Sequence, residues 1–158
     1  MRPWIFDIPH PQPSRSAGEW QVMRKFPSMA KNSPQLRVLI VDDEPLIRWS
    51  LAETLTDSGH SVIEAGDGEA AVHLLTAAER PFDVVLLDYR LPDSNDLNLL
   101  ATIRDLAPNS AVIMMTAFGT PEVAAGALQL GAYRVVVKPF EVHDIAELVL
   151  QAHAAAPR

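Results

Sequence analysis

Val84-Val85-Leu86-Leu87-Asp88 decides the fold: four successive apolar residues stop on a carboxylate. An unbroken aliphatic run of this kind, with Pro81 before it and Pro92 after it, describes a buried strand. Such a strand carries its last residue, Asp88, to an edge of the sheet.

Strand and helix signals alternate on both sides of this run with short connections, the pattern of a parallel α/β sheet. Toward the N-terminus, Leu36 to Val41 predicts a first strand that ends on Asp42, Asp43 and Glu44. Pro45 then suits the first turn of a helix, where its missing N–H costs nothing. That helix runs to about Ser58, with Ile47, Leu51, Thr54 and Leu55 on one face, and Gly59 ends it. Ser61 to Ala65 predicts strand two, and Gly66-Asp67-Gly68 turns the chain into a helix carrying Ala70, Ala71, Leu74 and Leu75. Strand three covers Asp83 to Leu87 with Asp88 at its tip, and Tyr89 to Asn95 forms an irregular loop. Helix three is expected to turn Leu99, Leu100, Ile103 and Leu106 inward. Strand four, Ala111 to Met115, ends on Thr116. Helix four runs from about Thr120, a candidate cap, to Leu130, and Ala124, Ala125, Gly126 and Ala127 leave it poor in large apolar residues. Gly126 costs about 1 kcal/mol relative to Ala, so a marginal helix is expected there, small-residue packing being the alternative. Strand five, Tyr133 to Val137, ends on Lys138-Pro139, and helix five presents Val142, Ile145, Leu148 and Val149.

The chain has 158 residues, 48% of them hydrophobic, enough for one globular domain with a single core. Residues 1 to 35 carry a net charge of +3 and the remainder −10, so a surface for duplex DNA, which needs a basic patch, is not expected. The absence of cysteine excludes disulfides and thiolate metal sites. No apolar run approaches the roughly 18 residues of a membrane span, and no signal peptide is evident, so a cytoplasmic protein without membrane contact is expected. Six of the 13 prolines fall within residues 1 to 35, which read as a disordered tail preceding a domain at 36 to 156. Trp4 and Trp20 leave room for a short docking motif in that tail, and Met23 and Met29 are alternative translation starts.

In an open parallel sheet, the residues just past strands one, three, four and five share one edge. Here they are Asp42, Asp43, Asp88, Thr116 and Lys138. Taken singly, an Asp after a strand caps helices or forms turns, Lys138 is a solvated charge and Thr116 a strand-end hydroxyl. Together they converge. Three carboxylates at one edge repel one another unless a hard cation and an ammonium group offset the charge, and oxygen-only ligands favour Mg²⁺ over zinc. The five histidines, His10, His60, His73, His143 and His153, show no ligand spacing and read as surface or packing residues.

Four motifs carry a family resemblance: Val41-Asp42-Asp43-Glu44-Pro45, Leu87-Asp88-Tyr89-Arg90-Leu91-Pro92, Met115-Thr116-Ala117 and Lys138-Pro139-Phe140. Over about residues 36 to 153 the chain resembles the receiver domains of two-component response regulators, and Met115-Thr116-Ala117-Phe118-Gly119 is similar to receivers of the nitrogen-regulation type. The resemblance implies a flavodoxin-like, chemotaxis-regulator-like (βα)5 fold, a doubly wound parallel sheet with strand order 2-1-3-4-5. It implies that Asp88 is the phosphoacceptor, phosphorylated by a phosphohistidine of a sensor histidine kinase or phosphotransfer protein. Asp43, Asp88 and the carbonyl of Arg90 match the Mg²⁺ ligands, and Asp42 the acid supporting the metal through water. Lys138 would pair with a phosphoryl oxygen. Thr116 would turn its hydroxyl toward another, drawing the following loop with it and altering the surface of helix four, strand five and helix five. That surface would meet an output partner whose identity is not encoded, or a second copy of a monomer in a weak homodimer. Slow self-dephosphorylation is implied, without enzymatic turnover of a substrate.

Two positions depart from the family pattern. Val135 stands where a switch Tyr or Phe is common, with Tyr133 two residues earlier expected on the same side of the strand. Asp96 stands where Gly is common, and a positive φ there would strain it. The chain ends shortly after helix five, so a stand-alone phosphorylatable receiver is the favoured expectation. The alternatives are a degenerate receiver serving as a constitutive interaction module and an aspartyl phosphohydrolase. The last wants an acidic residue two positions after the nucleophile, where this chain has Arg90.

Overall fold

The computed structural model describes residues 33–156. The elements alternate throughout: β1 (Arg37–Val41), α1 (Pro45–Asp57), β2 (Ser61–Ala65), α2 (Gly68–Ala77), β3 (Val84–Asp88), α3 (Asn98–Leu106), β4 (Ala111–Thr116), α4 (Pro121–Gln129), β5 (Arg134–Val137) and α5 (Val142–Ala155). All five strands are parallel, in the order β2-β1-β3-β4-β5. The doubly wound fold is therefore as expected. The proposed disorder of the tail, its tryptophans and the alternative starts lie outside the described residues.

β3 sits at the centre of the sheet, and each of its five residues is buried. Alternation sends its side chains into two layers. Val84 and Leu86 join Leu51 and Leu55 of α1 and Ile145, Leu148, Val149 and Ala152 of α5. Val85 and Leu87 join Ala71 of α2, Leu100 and Ile103 of α3 and Ala127 of α4. A strand apolar at every position before its terminal carboxylate is what a sheet covered on both faces demands.

Local chemistry sets the boundaries. Pro45 opens α1, Asp67 caps α2 by accepting from the Ala70 N–H at 2.7 Å, and Thr120 caps α4 by accepting from the Val123 N–H at 3.2 Å. Gly59 ends the α1 region at φ +94°, a conformation open to glycine at little cost.

Three expectations need correction, and one alternative is supported. Leu106 lies at the last position of α3 and is 43% exposed instead of packed inward. Tyr133 precedes the start of β5, so strand alternation does not govern it; it packs with the α1/α5 layer while Val135 packs with the other. Asp96 is not strained, because no described non-glycine residue has positive φ; its carboxylate instead accepts from the Asn98 N–H at 2.9 Å just before α3. The small-residue-packing alternative for α4 finds support at Gly126, where an added Cβ would stand 2.8 Å from Cδ1 of Leu97.

Candidate functional site

The shared edge forms as the topology requires. Asp42 follows β1, Asp88 ends β3, Thr116 ends β4 and Lys138 follows β5. Register pairs Val41 with Leu87, Asp88 with Met115 and Thr116 with Val137, so these four strands finish nearly level. Central position explains the burial of Asp42, Asp88 and Thr116, while Asp43 and Glu44, one and two residues farther out, are exposed.

Lys138 ties the group together. Its Nζ donates to Asp42 Oδ2 at 2.9 Å and to Glu44 Oε1 at 3.0 Å, and lies 3.3 Å from Asp88 Oδ2. The other Asp42 oxygen accepts from the Glu44 N–H at 2.8 Å, so this fully buried carboxylate is satisfied on both sides. The Lys138 backbone N–H donates to the Thr116 carbonyl at 2.8 Å, which extends the β4–β5 pairing one residue past the strand and fixes where the ammonium begins its reach. The Lys138-Pro139 peptide is cis.

The electrostatics follow from burial. The Asp88 carboxyl is pushed up to about 6, first because burial withholds water from its charge and then because Asp42 is beside it; Lys138 opposes both. For Lys138, burial alone would lower the ammonium's pKa, but the hydrogen bonds to Asp42 and Glu44 and the charges of Asp42 and Asp88 outweigh it and raise it to about 12. The lysine stays charged throughout the neutral range.

Carboxylate oxygens of Asp42, Asp43, Glu44 and Asp88 lie within 4.8 Å of one another. All donors are oxygens, and two of the four residues are exposed, which leaves room for water. The set fits a hard divalent cation that keeps part of its hydration shell. Glu44 was legible only as part of a motif; its place in the cluster comes from an extended backbone (φ −87°, ψ 107°) imposed by the following Pro45.

Two loops border the cluster. Arg90 approaches Asp88 through its backbone N–H, 3.4 Å from Oδ1, while its guanidinium lies 4.3 Å from the ring centre of Phe118. This exposed cation–π contact, of a kind that contributes about 0.5–1 kcal/mol, spans the loops after β3 and β4. The Thr116 hydroxyl accepts from the Phe118 N–H at 3.0 Å. Of the histidines, His60 is buried and its Nδ1 accepts from the Leu36 N–H at 3.1 Å, away from the edge. None joins the cluster among the described residues.

Residues 38–150 match the family model described as the response regulator receiver domain. Sporulation initiation phosphotransferase F of Bacillus subtilis is 34% identical over 113 residues, 72% of this chain and 90% of that protein. Response regulator protein PilR of Pseudomonas aeruginosa is 40% identical over 116 residues, 73% of this chain but 26% of the longer protein. The chain thus spans about a quarter of the first curated regulators it matches. Among solved structures, the CheX-CheY-BeF3-Mg+2 complex from Borrelia burgdorferi aligns with TM-score 0.69 at 30% identity, covering 78% of this chain and 92% of that one. A CheY-like receiver domain protein from Methanospirillum hungatei aligns with TM-score 0.71 at 27% identity, covering 77% and 95%. With the parallel 2-1-3-4-5 sheet and the acidic edge already in place, these matches make the chain a member of the response regulator receiver family.

Proposed function

We propose that Asp88 accepts a phosphoryl group from a phosphohistidine of a sensor histidine kinase or histidine phosphotransfer protein. A carboxylate oxygen of Asp88 attacks phosphorus, the P–N bond breaks, its electron pair returns to the histidine ring, and an acyl phosphate remains. The observation that carries this reading is the Lys138 ammonium held between Asp42 and Asp88 at 2.9 and 3.3 Å beside the four-carboxylate group. Phosphoryl transfer depends on positioning and charge stabilisation, and an anionic nucleophile needs cations to meet an anionic phosphoryl group.

Asp43, Asp88 and the Arg90 carbonyl are the proposed direct ligands of Mg²⁺, with Asp42 holding its water. When bound, the ion supplies Lewis-acid neutralisation of phosphoryl charge. Lys138 then exchanges part of its hold on Asp88 for a phosphoryl oxygen. Among the described residues the Thr116 hydroxyl is engaged as an acceptor from the Phe118 N–H, an arrangement that lets its proton be donated to the phosphoryl group, taking Phe118 and the α4 entry with it. The output face is α4-β5-α5, where Leu128 and Val137 are about half exposed. A protein partner or a second copy in a weak homodimer would read it. The same reading makes the chain a phosphoacceptor with slow self-dephosphorylation, and places it in the cytoplasm with ATP-fed kinases.

Labelling with acetyl phosphate tests this directly. Wild type should take up one phosphoryl group only with Mg²⁺, and Asp88→Asn none. A wild type that stays unlabelled would favour the second reading, a constitutive interaction module, which Val135 in place of a switch aromatic supports.

A further inference from the structure

We propose that Asp93 is a positioning residue for phosphoryl transfer, its carboxylate clamping the turn after β3 onto the first turn of α2 and so aiming the Arg90 carbonyl. The inference rests on the reading of Asp88 as phosphoacceptor.

Asp93 Oδ1 accepts from the Gly68 N–H at 2.8 Å and Oδ2 from the Glu69 N–H at 2.9 Å. Helix α2 already has its own cap in Asp67, which takes the Ala70 N–H at 2.7 Å. Both carboxylates therefore act on one helix end, but one comes from a loop 25 residues away along the chain. The hydrogen bonds from the Gly68 and Glu69 amides hold the Asp93 carboxyl below its ordinary range.

The loop itself is a tight reversal. The Leu91 N–H donates to the Ser94 carbonyl at 2.7 Å and the Ser94 N–H returns to the Leu91 carbonyl at 3.2 Å, leaving Pro92 and Asp93 at the tip. Leu91 is buried in the α2/α3/α4 layer. The peptide joining Arg90 to Leu91 is trans and planar, so the Arg90 carbonyl must point opposite the Leu91 N–H. Fixing the turn fixes that N–H, and with it the direction of the carbonyl. Only Tyr89 and Arg90 separate this anchored turn from Asp88. Gly68 permits the approach, since an added Cβ would meet Asp93 Oδ1 and Leu99 Cδ2 at 3.1 Å each.

The test compares Asp93→Ala with Asp67→Ala, which removes a cap from the same helix without touching the loop. Gly68→Ala, which crowds the clamp and leaves both carboxylates, serves as a second probe. Two quantities are read: amide exchange of Leu91 by NMR without Mg²⁺, and the Mg²⁺ concentration giving half-maximal labelling by acetyl phosphate. Losing an outer support of a ligand typically costs about tenfold or more in metal affinity. Asp93→Ala and Gly68→Ala should speed Leu91 exchange about tenfold and raise the half-saturating Mg²⁺ by about the same factor, while Asp67→Ala leaves both within about twofold. Equal effects of Asp93→Ala and Asp67→Ala, or unchanged Leu91 exchange in Asp93→Ala, would overturn the proposal and reduce Asp93 to a helix cap. Failure of wild type to label is a distinct result: it removes the phosphoacceptor reading, and the positioning role with it, whatever the exchange data show.

Discussion

At the scale of single residues, the site is a balance between burying Asp88 and neutralising it. Its carboxyl has a folded pKa of about 6 against an ordinary 3.8, burial being the first cause. A folded pKa above the unfolded one means that the native state holds the proton longer. The associated stability is present below about pH 4 and is lost as pH rises through about 6. Asp88→Asn never carries the charge. It should therefore be more stable than wild type at pH 7.5, by on the order of 1 kcal/mol after allowing for solvent screening, and the gain should vanish near pH 4. Urea unfolding at both pH values measures this. Lys138→Ala leaves the buried Asp42 and Asp88 carboxylates without their shared cation and should cost about 3 kcal/mol at pH 7.5. Added Mg²⁺ should restore much of that loss, whereas Ca²⁺-free buffer containing only Na⁺ should not.

At the scale of elements, α4 decides between two readings of its small residues, a marginal helix and close packing. Four small residues allow either; the fold sets Gly126 against Leu97 and buries Ala127 completely, which supports packing. Replacing a mid-helix glycine by alanine ordinarily gains about 1 kcal/mol. Gly126→Ala should gain less than that, because Leu97 must move the Cδ1 that the new Cβ would meet at 2.8 Å, and the full gain should appear in a Leu97→Ala background. Denaturant melts of the four proteins close that cycle. The strands were legible because β3 and β4 are apolar at every position and end on polar groups, leaving little choice of register or direction. Tyr133 was not, since the onset of β5 at Arg134 depends on pairing with Ile113, which periodicity within the segment does not contain. Leu106 was misplaced for a related reason: a helical stripe says which side faces inward, not where the neighbouring layer stops.

At the scale of the molecule, parallel topology converts four separated motifs into one site, which is why Asp42, Asp43, Asp88, Thr116 and Lys138 were legible before any geometry. Glu44 as a partner of Lys138, the Asp93 clamp and the Arg90–Phe118 contact were not, because each depends on a loop conformation or a tertiary distance. The gathered charge also has a global consequence. Mg²⁺ that binds only the folded chain should raise wild-type stability by about 2.7 kcal/mol at one hundred times its dissociation constant. Chelation should reverse that gain. If Asp88 is the nucleophile, peptide mapping of acetyl-phosphate-labelled wild type by mass spectrometry must find the phosphoryl group there. The prediction is a single phosphoryl group, dependent on Mg²⁺, on the peptide containing Asp88 and on that side chain. A phosphoryl group on Asp42, Asp43 or any residue other than Asp88 would contradict it.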